Sequence, residues 1–327
     1  ASSHWLLAWM GLEINTLAII PLMARQHHPR AVEATTKYFL TQSVAAATLL
    51  FASMMNAWVT GEWAINYLSD PIATTLAVMA LALKVGVAPL HSWLPEVLQG
   101  LDLTTGMILS TWQKLAPFAL LLQLSYHINP FILTTLGLMS TFIGGWGGLN
   151  QTQLRKILAY SSVAHLGWMV TVLPFAPQLT ILNLGLYIIM TSTMFLAFKT
   201  VMSTKISTLA TAWTKNPFLM TTTMLALLSL GGLPPMTGFM PKWLILQELA
   251  KQQLLGTATI ISLSALISLF FYMRLCYVMT LTVHPNTINT TAAWRLKNTR
   301  STLPLAVLTT MTIALLPLTP ALVALSH

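Results

Sequence analysis

A chain of 327 residues could make two ordinary soluble domains, but 55% of its residues are hydrophobic and only 7% are charged, against roughly 25% charged in a typical globular chain. With a mean hydropathy of +0.72, nearly every stretch of about 20 residues is apolar enough to span a bilayer. A water-soluble fold is excluded, and the whole of 1–327 is expected to be a single transmembrane domain. The net charge of +9 does not indicate nucleic acid, because the basic residues are scattered among apolar spans and form no patch interleaved with aromatics. The single cysteine, Cys276, excludes a disulfide, a CxxC zinc site or a cysteine-ligated iron–sulfur cluster within the chain.

Apolar runs between turn residues predict about ten membrane helices, near 4–23, 36–58, 71–92, 103–124, 129–149, 154–174, 179–199, 217–250, 256–281 and 302–323. The chain opens on Ala1 inside an apolar run, without a basic flank or a small-residue cleavage site, so an upstream helix is expected. Charge placement tests the count. Loops after odd-numbered spans, with adjacent helix ends, hold Arg25, Arg30, Lys37, Arg155, Lys156, Lys199, Lys205, Lys215, Arg274, Arg295, Lys297 and Arg300, whereas loops after even-numbered spans hold only Lys251. The basic loops should therefore face the negative compartment.

Three lysines and a glutamate lie within spans. Lys84 follows Asp70 by 14 residues, about 20 Å along a helix and so near the bilayer centre. Lys114 has a similar offset from Asp102, Glu13 sits well before Arg25, and Lys242 precedes Lys251 by nine residues. A charge at such depth costs about 2.5–3.5 kcal/mol on insertion scales, so these groups need partners or water. Desolvation favours a neutral amine and a nearby carboxylate favours the ammonium, and a lysine held between the two exchanges protons readily. That is the behaviour a proton relay requires. The alternative is static ion pairs that lock helices together, but the other acids, Glu33, Glu62, Asp70, Glu96, Asp102 and Glu248, fall in loops or near helix ends and cannot match every buried lysine.

Two spans carry breaks. The third reads Lys84-Val-Gly-Val-Ala-Pro89-Leu-His91-Ser-Trp-Leu-Pro95, and the middle of the eighth reads Gly231-Gly-Leu-Pro-Pro-Met-Thr-Gly238. Interior Pro and Gly free backbone carbonyls, which at membrane depth are tolerated only against protein or a hydrated cavity. The breaks lie five spans apart, an odd repeat length that reverses topology, as in inverted-repeat transporters with discontinuous helices. Ordinary proline kinks are the plainer alternative.

At these residues the chain resembles the NADH dehydrogenase subunit 2 family, antiporter-like subunits in the membrane arm of mitochondrial complex I. The likeness rests on Trp9-Met-Gly-Leu-Glu-Ile-Asn15, on the third span from Lys84 to Glu96, and on Trp112-Gln-Lys-Leu-Ala-Pro117. It also rests on Asn150-Gln-Thr-Gln-Leu-Arg-Lys-Ile157 and on the eighth run from Gly231 to Trp243. It covers essentially the whole chain, except that the family has at least one further helix at the start.

The resemblance implies an all-α antiporter-like fold similar to Mrp-type sodium/proton antiporters, with Glu13 as the buried glutamate and Lys84 as its partner. Lys114 matches the central lysine of a hydrophilic axis and Lys242 the distal one. It further implies proton translocation driven by quinone chemistry elsewhere, with flavin, iron–sulfur clusters and quinone in partner subunits and no cofactor or metal in this chain. The expected partners are other membrane-arm subunits and phospholipids, with no nucleic acid. The expected home is the mitochondrial inner membrane, with the basic loops toward the matrix. His91 and His165 could extend the relay, since imidazole titrates near neutrality, or could simply bond neighbouring helices. An autonomous cation/proton antiporter would use the same charged axis, and a purely structural subunit would freeze it in salt bridges. Gly144-Gly145 and Gly147-Gly148 predict close helix contact.

Overall fold

Prolines start many of the helices, at positions where a missing N–H is harmless and a fixed φ is already helical. A computed structural model of the chain describes residues 3–25, 27–214, 216–281 and 302–326, and its elements are α1 (Trp5–Ala24), α2 (Pro29–Thr60), α3 (Pro71–Val85), α4 (Trp93–Gly100), α5 (Leu103–Ser110) and α6 (Trp112–Leu124). There follow α7 (Pro130–Gly148), α8 (Leu154–Val172), α9 (Pro177–Val201), α10 (Ile206–Ala210), α11 (Pro217–Gly231), α12 (Phe239–Lys251), α13 (Leu255–Leu281), α14 (Leu303–Ala314) and α15 (Thr319–Ser326). Among the described residues the only extended pairings are the isolated bridges His4–Ala64 and Gln153–Lys205. The fold is the all-helical bundle that composition demands, because in lipid a helix satisfies its own backbone.

Both anticipated breaks are present, and they are built alike. In each, a half-helix ends at a glycine in the left-handed region, Gly86 at φ 85° and Gly232 at φ 77°, where a Cβ is disfavoured. Gly86, Pro89, Trp93 and Pro95 then match Gly232, Pro235, Phe239 and Pro241 in order, at one constant offset, and the second half-helix starts at Trp93 in one and at Phe239 in the other. The third span is longer than the expected 71–92, because the chain re-enters a helix after the break and continues to Gly100.

A further interruption was not anticipated. The run 103–124, expected as one helix, is divided by a turn at Thr111, whose backbone stays right-handed but is distorted to φ −112° and ψ −71°. Two features divide it. The Thr111 hydroxyl competes for the Met107 carbonyl at 2.7 Å, and Pro117, inside α6, has no N–H to donate to the preceding turn. The last expected span, 302–323, is likewise divided between α14 and α15 by a short 3-10 turn containing Pro317.

Loop contacts gather the basic residues at one end of the bundle. There Lys37 Nζ bonds Glu96 Oε2 at 2.8 Å, Arg274 Nη1 donates to Leu149 O at 2.6 Å, Arg155 donates to Leu101 O, and Leu154 N donates to Thr204 O at 3.1 Å. The opposite end is tied by Trp5 N to Trp63 O and Ile65 N to Ser3 O, each at 3.0 Å. This grouping agrees with the charge asymmetry of the loops, although Lys215, Arg295, Lys297 and Arg300 lie outside the described residues.

Helix α8 is the axis of the bundle, buried along almost its whole length. Membrane helices gain little from burying apolar side chains against one another, so close approach through small residues does the packing. At Gly144 of α7 a Cβ would come within 2.6 Å of the Ala164 backbone nitrogen of α8, and at Gly148 within 2.9 Å of the Phe271 ring of α13. The expected glycine contact is thus real, and it presses α7 against two neighbours. Helices α1 and α13 keep apolar outer faces, with Leu7, Ile14 and Leu17 on one and Leu263, Leu266 and Phe270 on the other exposed.

Two predictions follow from this packing. Gly144→Val should destabilise the subunit by about 1–3 kcal/mol through overpacking, read as a lower thermal midpoint, while Gly185→Ala, inside α9 where nothing lies within 4 Å, should not lower it and should gain up to about 1 kcal/mol of helix propensity. Trp93 Nε1 donates to Leu83 O at 3.0 Å, bonding a carbonyl near the end of α3. Trp93→Phe should cost about 1–3 kcal/mol by leaving that carbonyl unpaired, seen as faster hydrogen exchange around the break.

Candidate proton-transfer site

Of the four interior charges, the three lysines each lie beside a helix interruption, whereas Glu13 lies within the continuous helix α1. Lys84 is in the last turn of α3, just before Gly86, and is only 5% exposed. A cation there faces the negative end of a helix dipole. Its Nζ lies 3.8 Å from Glu13 Oε1 of α1. That distance is electrostatic contact without a hydrogen bond, and neither atom has a hydrogen-bond partner among the described residues. Glu13 is less enclosed than expected from sequence: its side chain retains 22% exposure, because α1 lies at the edge of the bundle with its outer face uncovered.

Lys114 follows the interruption at Thr111 and is 2% exposed. Its Nζ donates to the Tyr187 hydroxyl of α9 at 3.0 Å and lies 5.0 Å from the centre of that ring, a cation–π contact in a desolvated place. Tyr187, fully buried, donates in turn to Ser110 O at 3.1 Å. On its other side the ring packs at 5.8 Å against His165 of α8, which is buried and reaches the Leu230 backbone at the end of α11. One residue further, Gly231 O accepts from Lys242 Nζ at 2.7 Å, and the same ammonium sits 5.9 Å from the Trp168 ring of α8.

The row therefore runs Glu13, Lys84, Lys114, Tyr187, Lys242. His165 lies beside it, with its ring against Tyr187, the partner of Lys114, and near the Leu230 backbone. His91 stands apart: its Nδ1 is 3.3 Å from Pro89 O, its ring is 6.3 Å from Tyr160, and it borders an open pocket with Phe142 and Trp146. Lys84 and Lys242 are not repeat equivalents, since the position matching Lys242 in the first break is Glu96, which the structure turns to the basic end of the bundle and pairs with Lys37.

Tyr187 is the member that sequence reasoning missed. Tyrosines concentrate at membrane interfaces, whereas Tyr187 lies in the middle of the 25-residue helix α9, and that depth was the available signal. Among the described residues no group of three or more His, Cys, Asp or Glu side chains is placed to hold a metal ion.

The chain has counterparts among known proteins. The model of the NADH:quinone oxidoreductase/Mrp antiporter transmembrane family matches residues 2–268, and that of the NADH dehydrogenase subunit 2 C-terminus matches residues 269–323. NADH-ubiquinone oxidoreductase chain 2 of Carassius auratus is 68% identical over 326 residues, covering 100% of this chain and 94% of the relative. The same-named protein of Squalus acanthias is 64% identical over 324 residues, covering 99% and 93%. Among solved structures, a chain of respiratory complex I from Thermus thermophilus with bound aureothin superposes with a TM-score of 0.84 at 26% identity, over 99% of this chain and 75% of that one. A chain of the Mrp complex from Dietzia sp. superposes at 0.80 with 16% identity, over 99% and 73%, a likeness of fold alone. Matched along its length by both family models and by relatives sharing two thirds of its residues, the chain belongs to the NADH dehydrogenase subunit 2 family.

Proposed function

We propose that this chain carries protons through the membrane arm of NADH:ubiquinone oxidoreductase along the row from Glu13 to Lys242. The reading rests on one observation above others: Lys114 is bonded to Tyr187, whose ring packs against His165, and Lys242 is bonded to the carbonyl end of a broken helix, four groups from four helices. A static lock would need a carboxylate for each ammonium. Of the three lysines in the row only Lys84 has one within 4 Å among the described residues.

The Glu13–Lys84 contact is the switch. At 3.8 Å the two attract without a hydrogen bond to hold them, so a modest displacement of α1 changes how strongly Lys84 keeps its proton. A proton released toward Lys114 then meets a hydroxyl. Lys114 donates to the Tyr187 oxygen, and rotation of the Tyr187 O–H from Ser110 O toward His165 opens the onward step to the neighbourhood of Lys242. The proton steps along the row oxidise and reduce nothing. In this reading flavin, iron–sulfur clusters and quinone belong to partner subunits, and the energy arrives as charge displacement from them.

The named relatives come from vertebrates, which supports the mitochondrial inner membrane as the home of this subunit, with its basic loops toward the matrix. The uncovered apolar faces of α1 and α13 suit contact with neighbouring membrane-arm subunits or lipid. The autonomous antiporter remains the second reading, favoured by the shared fold of the Mrp chain.

Lys114→Met in the assembled complex decides for or against the relay. Loss of a positioned proton-transfer group should slow translocation through this subunit by about 100-fold or more, lowering the protons moved per NADH oxidised while assembly stays normal. Normal stoichiometry overturns the relay. Sodium-coupled proton flux by the purified chain in liposomes would instead establish the autonomous antiporter.

A further inference from the structure

The row has one open step. Lys84 Nζ bonds nothing among the described residues, and Lys114 turns its bond away toward Tyr187. Between them lies a cavity of about 10 Å³, room for about one water molecule. Its polar wall comes from four helices and includes Thr16, Tyr38, Gln42, Lys84, Gln113 and Lys114.

Gln42 is the unexplained member of that wall. It stands on the buried face of α2 among Tyr38, Ala45, Ala46 and Leu49, is 4% exposed, and its Nε2 has no hydrogen-bond partner. Its counterpart across the cavity is already committed, because Gln113 Nε2 donates to Asn15 O at 3.2 Å and ties α6 to α1. A buried amide N–H without a partner is costly. Two orphaned donors, Gln42 Nε2 and Lys84 Nζ, bordering one cavity sized for one water, call for a single acceptor shared between them.

We propose that Gln42 holds a water molecule in this cavity and thereby positions it to carry the proton from Lys84 to Lys114, an inference that rests on the relay reading above. The Gln42 amide and the Lys84 ammonium each donate to the water oxygen, filling both lone pairs. The water's own hydrogens are then turned toward Lys114 and away from the two donors. When the Lys114 nitrogen is unprotonated, an N–H bond of Lys84 breaks as an O–H bond forms on the water, and another O–H bond of the water breaks as an N–H bond forms on Lys114. The water is restored, one positive charge has moved from Lys84 to Lys114, and nothing is oxidised or reduced. Gln42 exchanges no proton. Its neutrality matters, because a carboxylate at this place would trap the charge that has to pass, and an apolar residue would leave the water free to turn.

Gln42→Met in the intact complex tests this, since it keeps length and volume and removes only the amide. Assembly should be normal, proton-coupled turnover should fall by about tenfold to about 100-fold, as expected for loss of alignment at a reacting centre, and the solvent deuterium isotope effect on the residual turnover should rise. Gln42→His, which restores an N–H donor, should recover a substantial part of the rate; a packing role would rank these variants the other way. Wild-type turnover and isotope effect in Gln42→Met, with Lys114→Met blocked, overturn the assignment to Gln42 and leave the relay standing, whereas normal pumping in both overturns the two together. Should Gln42→Met fail to assemble, a water-resolving map of the unmodified complex decides. Water within hydrogen-bond distance of both Gln42 Nε2 and Lys84 Nζ supports the proposal, and none there, where neighbouring waters are seen, overturns it.

Discussion

In the interior of a bilayer every backbone carbonyl and every charge needs a partner in the protein or in trapped water, and at the second break of this bundle one contact meets both demands. Breaking a helix exposes carbonyls at the negative end of its dipole; placing an ammonium there satisfies carbonyl and cation at once. Lys242 does this directly on Gly231 O, and Lys84 occupies the last turn before Gly86. Where no cation caps the freed backbone, Trp93 does so through its indole N–H to Leu83 O. The glycines that stop the half-helices and the lysines that carry charge are therefore parts of one device.

That device needs a rigid frame, and α8 supplies it. Its Ser and Thr hydroxyls turn back onto their own helix, as Ser161 does to Leu158 O and Ser162 to Ala159 O, so the helix can be enclosed on all sides without unpaired hydroxyls. Gly144 lets α7 lie against it. From this fixed axis His165 and Trp168, one helical turn apart, address Tyr187 and Lys242. The Glu13 end is built differently. Glu13 rides on α1, which packs by one face and leaves the other bare, and it meets Lys84 at 3.8 Å without a hydrogen bond. A rigid α8 and a loosely held Glu13 would suit the proposed relay, with an input arriving from a neighbouring subunit.

Much of this was legible in the residues because the membrane narrows the choices. Charge at depth and Pro–Gly breaks are conspicuous in a chain with 7% charged residues, and loop charge fixed which ends lie together. What escaped had no compositional mark. Thr111 interrupts α5 and α6 through a hydroxyl bond and a proline six residues on, neither of which is unusual in a membrane helix. Tyr187 and Gln42 look in sequence like an anchor and a tolerated polar residue, and only the convergence of α2, α3, α6, α8 and α9 shows what they face. His91 shows the opposite case: it sits inside a conspicuous break, yet the turn between α3 and α4 sets its ring 6.3 Å from Tyr160, since position along a broken segment does not fix direction once the helical period is lost.

The two breaks also explain why related halves need not do identical work. At the matching place in each second half-helix, one carries Glu96 and the other Lys242. Glu96 is drawn to the basic end by Lys37 at 2.8 Å, where water screens the pair and it contributes little to the interior field. Lys242 stays inside, held by Gly231 O and Trp168. The first half therefore contributes its charge from before the break, at Lys84, and the second from after it. Because the repeats run in opposite directions through the membrane, charges on opposite sides of equivalent breaks can lie at comparable depth. Placing the lysine at the same repeat position in both halves would instead set the two charges at different depths.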